Sequence, residues 1–179
     1  MGELMKNVVL IGFMGTGKTS VGRLLAARLH RPFIDTDSKI EQESGITVSE
    51  MFKQYGEAYF REQEQAVIAK VSRYTNTVIA TGGGVVTSVG NMTRLKRNGI
   101  IIALQASLEV ILERTERCNV RPLLDCPDRR RTVAALLRER EPLYGIADFT
   151  VDTSSLSPQQ ITDDIMNFFR QGGYLRGRI

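Results

Sequence analysis

Gly12-Phe13-Met14-Gly15-Thr16-Gly17-Lys18-Thr19 constrains this chain more than any other stretch. It matches G-x-x-x-x-G-K-[ST] in the context that gives the pattern a mechanism. A β-branched run, Val8-Val9-Leu10-Ile11, leads into it, and Val21, Leu24, Leu25 and Leu29 follow Lys18 at helical spacing. Strand, glycine loop and helix in that order let successive backbone N–H groups turn inward around a β-phosphate, at the positive end of the helix. Lys18 then supplies a point charge to the β and γ oxygens, and the Thr19 hydroxyl is placed to ligate Mg²⁺ bridging them. A nucleotide is the implied ligand; the phosphoryl acceptor stays open.

Four further apolar runs read as strands: Pro32 to Asp35, Thr77 to Ala80, Gly99 to Leu104 and Phe149 to Val151. Helical patterns separate most of them, which predicts one domain over 1–179: a three-layer α/β/α arrangement around five parallel strands covered on both faces. The longest strand-free stretch, 37–73, carries a capping-box signature at Thr47-Val48-Ser49-Glu50 and reads as helices inserted between the second and third strands. Residues 116–128 lack periodicity and contain Pro122 and Pro127, the pattern of a mobile lid, and 172–179 reads as a frayed, flexible tail.

Bulk composition narrows the function classes. The 179 residues carry a formal charge of +4 and a pI near 9.3, which suits nucleic acid or small anions equally. The arginines are scattered without an aromatic-interleaved patch, so no nucleic-acid partner is expected. No 18-residue apolar run occurs, and Met1 to Lys6 has no signal-peptide pattern, so a soluble, cytoplasmic protein with no membrane partner is expected. Cys118, Cys126 and the single His30 do not assemble a zinc site, and the thiols are expected to be reduced.

Two features remain. Thr81-Gly82-Gly83-Gly84 follows the third strand, where a parallel sheet presents ligands beyond its carboxyl ends. Many NTP-binding proteins place a metal-positioning aspartate after this strand; here there is none. Phe33-Ile34-Asp35-Thr36-Asp37 ends an apolar run on two aspartates, which strand alternation would point the same way. Asp35 is the natural substitute in the Mg²⁺ shell, leaving Asp37 to accept a hydrogen bond from an attacking hydroxyl, in line with the γ-phosphate. The plainer alternative is a pair of solvated turn aspartates.

Taken together, these residues resemble the shikimate kinases, small enzymes related to the nucleoside monophosphate kinases. The resemblance runs through Gly12 to Ser20, Asp35-Thr36-Asp37, Phe52 with Gly56-Glu57, Phe60 to Glu64, Thr81 to Val86, Val120 to Leu124 and Arg140 to Tyr144, covering roughly positions 7 to 152. It implies ATP- and Mg²⁺-dependent phosphorylation of the 3-hydroxyl of shikimate, a cyclohexene carboxylate, on a phosphate-loop fold of the nucleoside monophosphate kinase type, acting as a monomer. By the same resemblance, Lys18, Asp37 and Arg121 are catalytic, and Thr19 with Asp35 serves the metal. Gly15, Thr16, Gly17, Lys18, Thr19 and Ser20 bind nucleotide with Arg114, near adenine, and Arg121, on the lid. Asp37, Arg61, Gly82, Gly83, Gly84 and Arg140 bind the acceptor, the two arginines clamping its carboxylate as planar forks. Glu64, three residues after Arg61, is expected to hold that guanidinium.

The chain departs from the family pattern in two places. Ser154-Ser155-Leu156-Ser157 stands where basic residues near adenine are common, and the lid carries Cys118 and Asp125-Cys126. Two other readings stay open at this level: a kinase for gluconate or a nucleotide on the same fold, and a noncatalytic nucleotide-sensing module. The second needs neither an acceptor-side carboxylate nor an arginine clamp.

Overall fold

The apolar run before the glycine loop forms β1, Asn7–Gly12, with all six residues buried. Val8 to Ile11 are all apolar because β1 is the central strand, flanked on both edges and covered on both faces. In the computed structural model, which describes residues 6–116 and 128–174, the sheet order is β2-β3-β1-β4-β5, every pair parallel. The other strands are β2 Phe33–Asp35, β3 Val78–Ala80, β4 Gly99–Gln105 and β5 Phe149–Asp152. In register, Leu10 pairs with Ala80 on one side and Ile102 on the other.

Strand alternation splits the core in two. Val8, Leu10, Ile100 and Ile102 pack beneath α1 Lys18–Leu29 and α7 Pro158–Gln171, whose Leu25, Ile165 and Phe169 are buried against them. Val9, Ile11, Ile79 and Ile101 face the opposite way, against α3 Val48–Val71 and α4 Val89–Arg97 through Val67, Ile68 and Leu95. The three-layer α/β/α fold is therefore as the sequence implies. Two more helices, α5 Leu108–Glu116 and α6 Arg129–Arg140, bracket residues outside the described set. Cys118, Arg121, Cys126 and nearly all of the lid segment fall there.

The Asp35–Asp37 stretch differs from its sequence reading. β2 ends at Asp35, and Asp37 lies in the first turn of α2, Thr36–Ser44, so the two aspartates are not alternating strand positions. Asp35 is the N-cap: its Oδ1 accepts from Asp37 N (3.1 Å) and Ser38 N (3.3 Å), satisfying helix-end donors and starting the helix there. After α2, the Thr47–Glu50 capping box opens α3. Within α3, Gly56 at φ 82°, ψ 175° breaks the helical path, a conformation only glycine adopts readily. Residues 172–174, where the tail segment begins, bond back to the end of α7. Tyr174 N donates to Phe169 O (2.9 Å), and the Tyr174 ring packs on Phe168. Among the described residues no helix is long and apolar enough to cross a membrane.

Candidate active site

The loops after β1, β2 and β3 meet at the carboxyl edge of the sheet, around a cavity of about 460 Å³. Gly15, Lys18, Thr19, Asp35, Asp37 and Arg114 are among its lining residues. Gly12 closes the strand at φ 145°, and a methyl group built on it would lie 2.2 Å from Leu104 O, so the loop leaves the sheet where no side chain fits. Gly17, at φ 92°, is the N-cap of α1 and leads the N–H groups of its first turn into the cavity. Lys18 reaches back over the loop, its Nζ donating to Gly12 O and Phe13 O, both at 2.8 Å.

Thr19 Oγ1 donates to Asp35 Oδ2 at 2.7 Å. One aspartate thus caps α2 with one oxygen and holds the phosphate-loop hydroxyl with the other. This geometry fits the Mg²⁺ role expected of Thr19 and Asp35: two hard oxygen donors side by side at the cavity wall. Among the described residues no group of three or more His, Cys, Asp or Glu side chains is placed to hold a metal ion.

The three glycines after β3 each meet a different neighbour. A methyl group on Gly82 would lie 2.7 Å from Asp37 Oδ1 and 3.0 Å from Glu64 Oε1; on Gly83, 3.2 Å from Met14 N; on Gly84, 2.6 Å from both terminal nitrogens of Arg61. The turn is bare because two carboxylates, the phosphate-loop backbone and a guanidinium close on it. It is fixed by Gly82 N donating to Thr36 Oγ1 (3.1 Å) and by Tyr144 OH donating to Gly83 O (3.3 Å).

Arg61 projects from α3 past the Gly56 break, with its Nε and one terminal nitrogen on Glu57 Oε1 (3.2 and 2.9 Å) and the other on Glu64 Oε2 (3.0 Å). Burial pushes the Glu64 carboxyl above its ordinary range, against the pull of the Arg61 charge. Burial opposes the charge of Arg61, but Glu64 and Glu57 outweigh it and the guanidinium is held more firmly protonated. Arg140 ends α6, is 4% exposed, and lies with Cζ 5.6 Å from the centre of the Phe13 ring. Its Nε and Glu64 Oε1 are buried with no hydrogen-bond partner among the described residues. An open acceptor on Glu64, which meets Gly82 beside Asp37, and an open donor on Arg140 suit a ligand carrying both a carboxylate and hydroxyl groups.

Arg114 is tied by one terminal nitrogen to Gly15 O (3.2 Å) and Thr153 Oγ1 (3.0 Å), and by the other to Thr153 O (2.7 Å). It joins the phosphate loop to the chain leaving β5. Four residues to which the sequence motifs assigned no individual role also contribute: Glu57, Thr36, Tyr144 and Thr153. Only Glu57 had a readable signal, its i,i+4 spacing from Arg61; the others act across long sequence separations.

The sequence profile of the shikimate kinase family matches residues 14–170. A curated shikimate kinase of Caldanaerobacter subterraneus subsp. tengcongensis is 46% identical over 97% of this chain and 100% of its own length. The chain belongs to the shikimate kinase family. Another member, from Pelotomaculum thermopropionicum, is 48% identical over 96% of this chain and 99% of its own. The solved shikimate kinase from Acinetobacter baumannii in complex with shikimate superposes with a TM-score of 0.92 at 36% identity, covering 95% of this chain and 96% of that one. As a shikimate kinase, the protein is an ATP-dependent phosphotransferase that works with Mg²⁺.

Proposed function

We propose that this protein transfers the γ-phosphoryl group of ATP to the 3-hydroxyl of shikimate, with Asp37, Arg61 and Arg140 forming the acceptor site beside the Gly82–Gly84 turn. The carrying observation is the convergence of Asp37 and Glu64 on Gly82, and of Arg61 on Gly84, within reach of the phosphate loop. ATP brings the phosphoryl group, and Mg²⁺ the charge that screens its oxygens. Lys18 and the α1 N-terminus hold the phosphates. Thr19 and Asp35 face the metal side. Asp37 accepts the proton of the attacking hydroxyl or orients it.

Arg61, braced by Glu57 and Glu64, and Arg140 hold the acceptor carboxylate. This orients the ring so that one hydroxyl points at Asp37. In the same reading Arg121 supplies a further charge on the phosphoryl side and Arg114 borders the nucleotide. The helices between β2 and β3 form the acceptor-binding unit, and the enzyme acts as a cytoplasmic monomer. Phosphorus–proton coupling in the NMR spectrum of the product tests the regiochemistry. Coupling to the proton on C3 is expected, and coupling to that on C4 or C5 would reject the assignment.

A further inference from the structure

Phe13 sits inside the phosphate loop, yet nothing in nucleotide chemistry requires a ring there. Its backbone belongs to the nucleotide side: Phe13 O accepts from Lys18 Nζ and Thr16 Oγ1, each at 2.8 Å. Its side chain belongs to the acceptor side: the ring, 1% exposed, lies under the Arg140 guanidinium at 5.6 Å. Arg140 makes no ion pair among the described residues, and its Nε is unpartnered. Besides the nearby Glu64 charge, the aromatic face is part of what holds this buried guanidinium. The Gly83 backbone runs close to the Phe13 backbone, where a methyl group would lie 3.6 Å from the Phe13 carbonyl carbon.

We propose that Phe13 is a positioning residue for the acceptor: its ring presents Arg140 to the planar carboxylate, and its backbone ties that presentation to the nucleotide-bound state of the loop. The proposal rests on the reading of Arg140 as a carboxylate ligand. Because the same residue serves both ligands, nucleotide and acceptor tighten each other's binding, and the effect is reciprocal.

Calorimetric titration of shikimate, with and without saturating Mg²⁺ and ADP, tests this in the wild type, Phe13→Leu, Arg140→Lys and the double variant. Phe13→Leu is expected to weaken shikimate about five- to tenfold, the size of a desolvated cation–π contact. It should leave ADP affinity within about twofold and erase most of the tightening caused by ADP, while adding little to Arg140→Lys, as coupled neighbours do. Phe13→Met keeps the apolar bulk without the ring. It should behave alike, and it carries the test should the leucine variant not fold. Unchanged shikimate affinity in either ring-less variant, an equal loss of ADP affinity, full additivity, or no effect of ADP in the wild type would overturn the proposal. Unchanged affinity in Arg140→Lys would overturn the carboxylate reading itself, and this proposal with it. A weakened Arg140→Lys beside an unaffected Phe13→Leu would overturn the Phe13 proposal alone.

Discussion

Gly84 and Gly12 show how the same loss of a hydrogen side chain has different consequences. At Gly84 the atoms a methyl group would meet are the ends of the Arg61 side chain, which can swing away. Gly84→Ala is therefore expected to fold with a melting temperature within a few degrees of wild type, but to raise the KM for shikimate about tenfold by displacing one arm of the clamp. An unchanged KM would place Arg61 outside the acceptor site. At Gly12 the obstacle is the Leu104 carbonyl, which is part of the sheet, so the same change strikes at folding. Asp37→Asn separates chemistry from binding: kcat should fall about 10²–10⁴-fold with ATP affinity nearly unchanged. Undiminished turnover would remove Asp37 from its role. The acidic pair was readable as a candidate site with separate roles, but not its geometry. Alternation predicted two aspartates on one face of one strand, whereas the hydrogen bonds that Asp35 accepts from Asp37 N and Ser38 N turn the chain into a helix between them.

The helices α2 and α3 carry two of the proposed acceptor-binding residues, Asp37 and Arg61, and depend on their caps. Thr47→Ala is expected to cost ~1 kcal/mol, a fall of roughly 2–4 °C in melting temperature for a chain of this size. Hydrogen bonds from the Thr47 backbone and hydroxyl hold the Glu50 carboxyl below its ordinary 4.5. A lowered folded-state pKa means this stabilisation is fully present above pH 4.5 and fades as the pH falls through the lower value. The melting-temperature gap between wild type and Glu50→Gln should accordingly narrow on acidification from pH 6 to pH 3. Parallel curves would show that the box carries no charge-dependent stability. The capping box and the five strands were legible because their signals are local: a four-residue pattern and short apolar runs. The Gly56 break, which redirects α3 ahead of Arg61, was not; an isolated glycine in a helical pattern is usually tolerated without a kink.

Across the whole molecule, hydrogen bonds between segments distant in sequence tie the surroundings of the cavity together in pairs. Thr36 holds Gly82, Tyr144 holds Gly83, and Arg114 spans from Gly15 to Thr153. Arg114→Met should loosen the phosphate loop and raise the KM for ATP several-fold while leaving that for shikimate nearly unchanged; a change confined to shikimate would contradict the assignment. These ties could not be foreseen from spacing, since their partners lie 39 to 99 residues apart and depend on the strand order. The phosphate loop was legible because strand, loop and helix are consecutive. Whether a carboxylate-bearing hydroxy acid is seated between Asp37 and two arginines is decided by ADP release with Mg²⁺ and ATP in the presence of shikimate, gluconate, quinate, AMP or no acceptor. Strong turnover with shikimate alone is the predicted result. No stimulation by any acceptor while ATP still binds, or preference for AMP, would contradict it.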